Sequence, residues 1–252
     1  FELVGFAKTR AITATDMRVY DRRGDGFIPG EGCGFVLLKR LEDARAANNR
    51  IYAVLRGWGV SSDGKSAITA PRVVGQARAI RTAWARSGSP DFVEGHGTGT
   101  AVGDRVELEA IATVANESAN RSVGVTSLKS ILGHTKAAAG IGAFLKAVIA
   151  VNRRIIPPTA GCSEPNEVFD EKARALYPIL RGEVRPHDTT LLAGVSAMGF
   201  GGINTHAVIS SLDAPDERLA PALPEAAVMA SATMANRPKM KRTDSAGSMK
   251  EA

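Results

Sequence analysis

Three short stretches combine histidine or lysine with glycine in patterns that could support chemistry. In EGHGTGTAVGD at 94–104, His96 stands just ahead of a glycine-rich run with an acidic residue at each end. The run is not GxGxxG, because its third glycine falls one residue late, and it lacks the Lys-Ser/Thr ending of a phosphate loop. Glycines remove Cβ bulk and let a substrate approach the backbone. His96 is therefore either presented to a cavity from a strand end or is an ordinary hydrogen-bonded structural histidine. In KSILGHTKAAAG at 129–140, His134 precedes a small-residue helix. A helix N-terminus nearby disfavours its protonation and leaves a neutral imidazole that can donate one hydrogen bond. Lys129, five residues earlier, is either a cation buried in the site or a surface side chain. In AMGFGGINTH at 197–206, Gly199, Gly201 and Gly202 surround Phe200. Such a turn between two strands can aim backbone N–H groups at a developing oxyanion, or can simply be a tight hairpin. His206, inside the following strand, reads as structural. No carboxylate pair, metal cluster or Ser-His-Asp arrangement competes with these motifs.

The elements that must position these residues alternate between strands and helices. GFVLLKR at 34–40 reads as a buried strand, LEDARAANNR at 41–50 as a short helix, and IYAVLRGWGVSSDG at 51–64 as a strand running into a loop, the two strands forming a hairpin-like pair. From residue 73, Val74, Ala77, Ile80, Ala83 and Trp84 share a helical face, with a stop near Ser87-Gly88. DFVEG at 91–95 is a short strand feeding the glycine loop. Asp104 is placed to cap the next helix, with Glu107 three residues on as in a capping box and Leu108, Ile111 and Ala115 on the apolar face. SVGVTSL at 122–128 is another strand. AAAGIGAFLKAVIAV at 137–151 is apolar nearly all round and reads as a buried helix, ended by IIPPT. LLAGVSAMGFGGINTHAVIS at 191–210 reads strand, glycine turn, strand. The pattern is α/β with a mixed sheet.

The composition is that of an ordinary soluble globular chain, 252 residues long with 44% hydrophobic and 23% charged residues. The net charge of +6 fits an ordinary basic surface or a patch that meets an acidic partner. Nucleic acid is disfavoured because basic residues do not cluster with aromatics. Cys33 and Cys162 lie far apart without metal or disulfide spacing, which suits a reducing cytosol. No apolar run is long enough to span a membrane. The chain opens on Phe1 without a signal-peptide pattern, as expected of a piece of something longer. From Asp213 onward ten Ala, four Pro and no aromatics cannot build a core, so residues 213–252 are expected to be a disordered tail.

EGHGTGTAVGDRVE, SLKSILGHTKAAAG and GFGGINTH resemble three signature motifs of β-ketoacyl synthase domains, and DGFIPGEGCGFVLLKRL resembles a fourth stretch of that family. The resemblance runs in order from about residue 3 to residue 210, with a leaning toward iterative type I polyketide synthases of the enediyne kind. It implies a thiolase-like fold, in which two similar α/β halves carry mixed five-stranded sheets layered with helices. Residues 1–65 would be the end of the first half and 66–212 nearly all of the second.

The resemblance further implies decarboxylative Claisen condensation of an acyl thioester with malonyl carried on an acyl carrier protein. His96 and His134 would stabilise the malonyl-derived enolate. Lys129 would orient His134, Asp104 and Glu107 would belong to the supporting network, and Phe200, flanked by Gly199 and Gly201, would supply an oxyanion-hole N–H and gate the pocket. No cofactor is implied beyond the phosphopantetheine arm that carries the substrates. The implied partners are acyl carrier protein, the other ketosynthase half and a second copy in a homodimer, and the implied location is cytoplasmic. Ile131 and Met198 depart from the family pattern at positions expected beside the pocket. The family nucleophile is a cysteine in a TACSSS-like stretch upstream of Phe1, and neither Cys33 nor Cys162 has that context. The chain alone is therefore expected not to condense anything. The alternative is a non-catalytic thiolase-fold subunit that pairs with an intact ketosynthase.

Overall fold

The computed structural model describes residues 2–64, 71–118 and 122–212. The elements in order are α1 (Glu2–Lys8), α2 (Leu41–Ala46), β1 (Val54–Ser62), α3 (Val73–Ser87), β2 (Phe92–Glu94), α4 (Ala101–Ser118), β3 (Val123–Thr126), α5 (Lys129–Leu132), α6 (Ala139–Arg153), β4 (Ile155–Ile156), α7 (Val168–Glu171), β5 (Leu176–Pro178), β6 (Glu183–Val184), β7 (Leu192–Gly199) and β8 (Ile203–Ser210). The expected disordered tail lies outside the described residues.

The main sheet has six strands in the order β1-β8-β7-β2-β3-β5, with β4 and β6 forming a separate pair. The strands β7, β2, β3 and β5 run parallel, and β8 and β1 are added antiparallel. The five strands β5, β3, β2, β7 and β8 form one mixed sheet of the kind expected, and β1 extends it to six. β1 pairs with β8 from Val54↔Ser210 to Ser62↔Ile203, so a strand assigned to the first portion of the chain joins the sheet of the second.

Helices cover both faces of this sheet, and the alternation of side chains along each strand divides the core in two. Val93, Val125 and Val208 face one cluster with Ala77, Ile80, Ala83 and Trp84 of α3 and Leu108, Ile111 and Ala115 of α4. Phe92, Val195 and Ile209 face the other with Ala143, Ala147, Ala150 and Val151 of α6. Burial on both faces explains why β3 is apolar without alternation. α3 ends where expected, with Gly88 at φ 81 closing it. His206 is structural: it is 2% exposed, accepts a hydrogen bond from Trp84 Nε1 at 3.0 Å, and lies 2.9 Å from Ser196 Oγ through its other nitrogen.

Four expectations are corrected. The run 34–40 is neither a strand nor buried: Phe35 is 89% and Leu37 95% exposed, and no strand pairs with it among the described residues. A β-prone run needs a free edge in register, and this one pairs with none among the described residues: Gly34 approaches Ile141 and Leu145 of α6, and the apolar side chains that follow are exposed. The expected 34–60 hairpin is therefore absent, and β1 finds its partner at the far end of the sequence. The helix at 41–50 stops at Ala46, and α6 is buried on one side only, with Ile149 exposed.

Phe35, Leu37 and Leu38, together with Trp58 and Val60 on the outermost strand, leave large apolar side chains in water. Exposed large apolar side chains in such number favour association. Concentration-dependent self-association is expected by size-exclusion chromatography with light scattering. Phe35→Lys with Leu37→Lys should reduce it while changing stability by less than about 0.5 kcal/mol each, as for exposed sites.

Candidate active site

The motif residues meet at the carboxyl ends of β2, β3 and the turn after β7, where ligands bind in open α/β sheets. His96 follows the end of β2. Lys129 is the first residue of α5, just after β3. His134 follows Gly133, whose φ of 72 and close approach to the Ile28 carbonyl redirect the chain. Phe200 lies in the turn between β7 and β8. A cavity of about 570 Å³ is lined by His96, His134, Thr98, Met198 and Phe200 and by Phe6 and Phe27 from the first portion of the chain.

The two imidazole rings stand edge to face with centroids 5.4 Å apart. The tautomer of each follows from its Nδ1 partner. His96 Nδ1 accepts from the backbone N–H of Met198 at 3.4 Å and faces Lys129 Nζ, also at 3.4 Å. His134 Nδ1 accepts from the backbone N–H of Lys136 at 3.0 Å. A neutral imidazole that accepts at Nδ1 carries its proton on Nε2, so each ring has a single donor left. Burial holds both rings well below the ordinary histidine range. Nearby Lys129 adds to this for both, and Lys136 for His134, which is pulled down to about 4. The expected helix start lies beside His134, where a 3-10 turn at Lys136–Ala138 runs into α6, and burial and two lysines also favour the neutral ring.

Lys129 is 4% exposed, which excludes the surface reading, and its ammonium donates to the backbone carbonyl of His96. It touches the His96 side of the pair, and its influence on His134 is electrostatic.

Asp104 and Glu107 are fully buried, but they form no capping box. α4 begins at Ala101, so Asp104 lies inside its first turn. Asp104 Oδ1 accepts the N–H groups of Thr98 and Gly99, at 2.9 and 3.0 Å, and Oδ2 that of Tyr20 at 2.7 Å. Glu107 accepts from His96 N at 2.6 Å, Gly97 N at 2.8 Å and Tyr20 Oη at 2.8 Å. Burial raises both carboxyls, Asp104 to about 7, and the N–H donors oppose it. The carboxylates thus grip the backbone of the glycine loop. Gly97 has φ +39, and a Cβ there would come within 2.6 Å of Val19 and 2.8 Å of Ser127.

The turn carrying Phe200 has Gly201 and Gly202 at φ 88 and 79, which confirms a glycine-dependent hairpin turn. The Phe200 ring stacks on Phe6 at 5.8 Å. Met198 lines the cavity as expected, whereas Ile131 is 58% exposed and is not among the lining residues. Neither cysteine lines the cavity. Cys33 is exposed, and burial pushes the Cys162 thiol up to about 12, far from a thiolate.

Sequence reasoning passed over Tyr20, Glu94 and Lys146. Glu94 is fully buried, accepts from the Leu128 N–H and pairs with Lys146 at 2.6 Å. A lone lysine inside the apolar 137–151 helix was the available signal for that pair. Tyr20 gave none, since its surroundings read as turns.

Models of the β-ketoacyl synthase family match this chain in two adjacent parts, the N-terminal domain over residues 1–44 and the C-terminal domain over 52–163. The chain belongs to the β-ketoacyl synthase family. A polyunsaturated fatty acid synthase subunit of Thraustochytrium sp. is 36% identical over 225 residues, covering 83% of this chain and 8% of that protein. Polyketide synthase PksL of Bacillus subtilis is 38% identical over 212 residues, covering 80% of this chain and 5% of that protein. Among solved structures, the ketosynthase from module 6 of the bacillaene synthase from Bacillus subtilis 168 superposes with a TM-score of 0.77 at 35% identity, over 84% of this chain and 40% of that one. The chain therefore spans less than half of that solved ketosynthase and a small fraction of the two curated relatives, and it has the thiolase-like α/β fold. Among the described residues no helix is long and apolar enough to cross a membrane.

Two outcomes follow. Gly97→Ala should destabilise the chain by about 1–3 kcal/mol in urea unfolding, through overpacking and the positive φ. Acidification should also destabilise it. His96, His134 and His206, the last at about 3, bind protons in the folded state only below the ordinary unfolded value of about 6.5. Between these limits the unfolded chain binds more protons, so their contribution is present above about 6.5 and is lost as pH falls toward 4. The raised Asp104 and Glu107 act in the opposite sense, their contribution being lost as pH rises, for Asp104 through about 7, so that they reduce the net slope set by the three histidines. The urea midpoint should fall between pH 7 and 5, with a shallower slope in His206→Gln.

Proposed function

We propose that this ketosynthase chain supplies the decarboxylating and enolate-stabilising part of a condensing site acting on malonyl thioesters in polyketide or fatty acid synthesis. The observation that carries this reading is the pair of neutral imidazoles 5.4 Å apart, each with its Nδ1 tied to a backbone N–H and its Nε2–H left to donate. Two such donors converging on one thioester oxygen stabilise the negative charge that appears there as carbon dioxide leaves. The enolate carbon then attacks an acyl thioester, and the tetrahedral intermediate collapses by expelling a cysteine thiolate. Lys129 supports His96 through its carbonyl and adds positive potential beside both rings. The backbone N–H of Phe200 serves the oxyanion of the acyl thioester, and its ring gates the cavity. Acyl carrier protein delivers the malonyl group on its phosphopantetheine arm, and no other cofactor takes part.

The nucleophilic cysteine comes from outside the 252 residues. Cys162 is held as a thiol and neither cysteine reaches the cavity. A first ketosynthase half, and a second copy of the domain in a homodimer, complete the enzyme. The exposed Phe35, Leu37, Leu38, Trp58 and Val60 favour a second reading, in which the chain pairs with an intact ketosynthase without catalysing.

The two readings separate in one assay. The chain is mixed with an N-terminal ketosynthase portion carrying the cysteine, an acyl thioester and malonyl-acyl carrier protein, and products are followed by mass spectrometry. No condensation is expected from the chain alone, and condensation there would refute the division of the site. In the reconstituted protein, His134→Ala should lower the rate about 10²- to 10³-fold, the usual loss for one oxyanion donor. An unchanged rate would favour the pairing role.

A further inference from the structure

Tyr20 touches both buried carboxylates at once. Its backbone N–H donates to Asp104 Oδ2 at 2.7 Å and its phenol donates to Glu107 Oε2 at 2.8 Å. Those carboxylates accept, in turn, the N–H groups of His96, Gly97, Thr98 and Gly99. One residue from the first portion of the chain therefore reaches, through two side chains of α4, the four consecutive amides of residues 96 to 99 in the loop that carries His96. The arrangement is held from the other side as well. The Tyr20 carbonyl accepts from the Asn166 N–H at 2.8 Å, and its ring meets Phe169 edge-on at 6.4 Å. Tyr20 is 1% exposed and has φ 57, a left-handed conformation that is unfavourable for a non-glycine residue and persists only where its surroundings dictate it. The loop is shaped to admit the phenol: a Cβ on residue 95 would lie 1.8 Å from Tyr20 Oη, so that position is glycine.

We propose that Tyr20 is a positioning residue whose phenol, acting through Glu107, fixes the backbone at His96 and Gly97 and so sets the orientation in which His96 faces the cavity. Its bearing on catalysis rests on the condensing-enzyme reading above, whereas the positioning itself does not. With the phenol in place, Glu107 Oε2 accepts two donors and each carboxylate oxygen has a fixed direction. Without it, Glu107 keeps the His96 and Gly97 amides as its hydrogen-bond donors, and that part of the loop loses the support that reaches it through the phenol.

The test is hydrogen–deuterium exchange of the full 252-residue chain with mass-spectrometric readout, comparing Tyr20→Phe with the unsubstituted protein. Phenylalanine keeps the ring packing and the backbone bond to Asp104 and deletes only the hydroxyl. Exchange in peptides covering residues 94–104 should speed up on the order of tenfold, the effect of losing one hydrogen bond to a charged group. Peptides from α3 and β8 should be unchanged, and diethyl pyrocarbonate should acylate His96 faster while His134 is unaffected. A purely structural role would instead loosen all segments together, and equal protection at 94–104 would overturn the proposal. If Tyr20→Phe does not fold, Gly95→Ala displaces the phenol while leaving Tyr20 in the sequence, and the same local loss of protection is expected. Failure of the condensation assay would count against the proposed reaction and leave the exchange result standing.

Discussion

The site depends on two carboxylates accepting backbone N–H groups inside the protein. Taking Asp104 and Glu107 out of water costs several kcal/mol each unless the charge is met by donors. Here the donors are amides of the loop that the carboxylates must hold, with Tyr20 as the common partner. The charge is therefore solvated by the very backbone it organises, and the glycines let those amides turn inward. Around this centre the parallel strands bring His96 and Lys129 to the carboxyl end of the sheet, with the His134 ring 5.4 Å from that of His96.

A second consequence of burial is the ordering of charge in the site. Lys129 has few water contacts, and burial pulls it below the ordinary lysine range while Glu107, Glu94 and Asp104 pull it upward. Its position between carboxylates and imidazoles separates the two kinds of group. The Glu94–Lys146 pair lies under the same loop and anchors the amide of Leu128 just ahead of α5. Sheet, loop and helix termini are tied together by charge that the apolar clusters alone would not place.

Much of this was legible in the sequence because it is local. Helical periodicity located α3 and α4, glycine ended α3, and glycine-flanked histidines marked the loops. His206 read as structural because it sits mid-strand, and Trp84 and Ser196 satisfy it there. What escaped depends on contacts between distant residues. The capping-box pattern at 104–107 is real in spacing, yet the helix starts earlier and the acids serve another loop. Tyr20 lies 84 and 87 residues from its partners and carries no sequence mark. The run 34–40 looks like a core strand because it is apolar, but apolarity specifies burial only where a partner surface exists. The same long-range pairing placed β1 beside β8 and not beside its sequence neighbour.

The fixed Nδ1 contacts of the two imidazoles also limit the kinds of reaction open to this chain. For His96 or His134 to take up a second proton, the ring must give up a backbone contact and become a cation beside lysine. Such rings can attract electron density without acting as proton relays. They suit a carbanion that forms by loss of a neutral gas, a step that needs no base, better than one that forms by deprotonation.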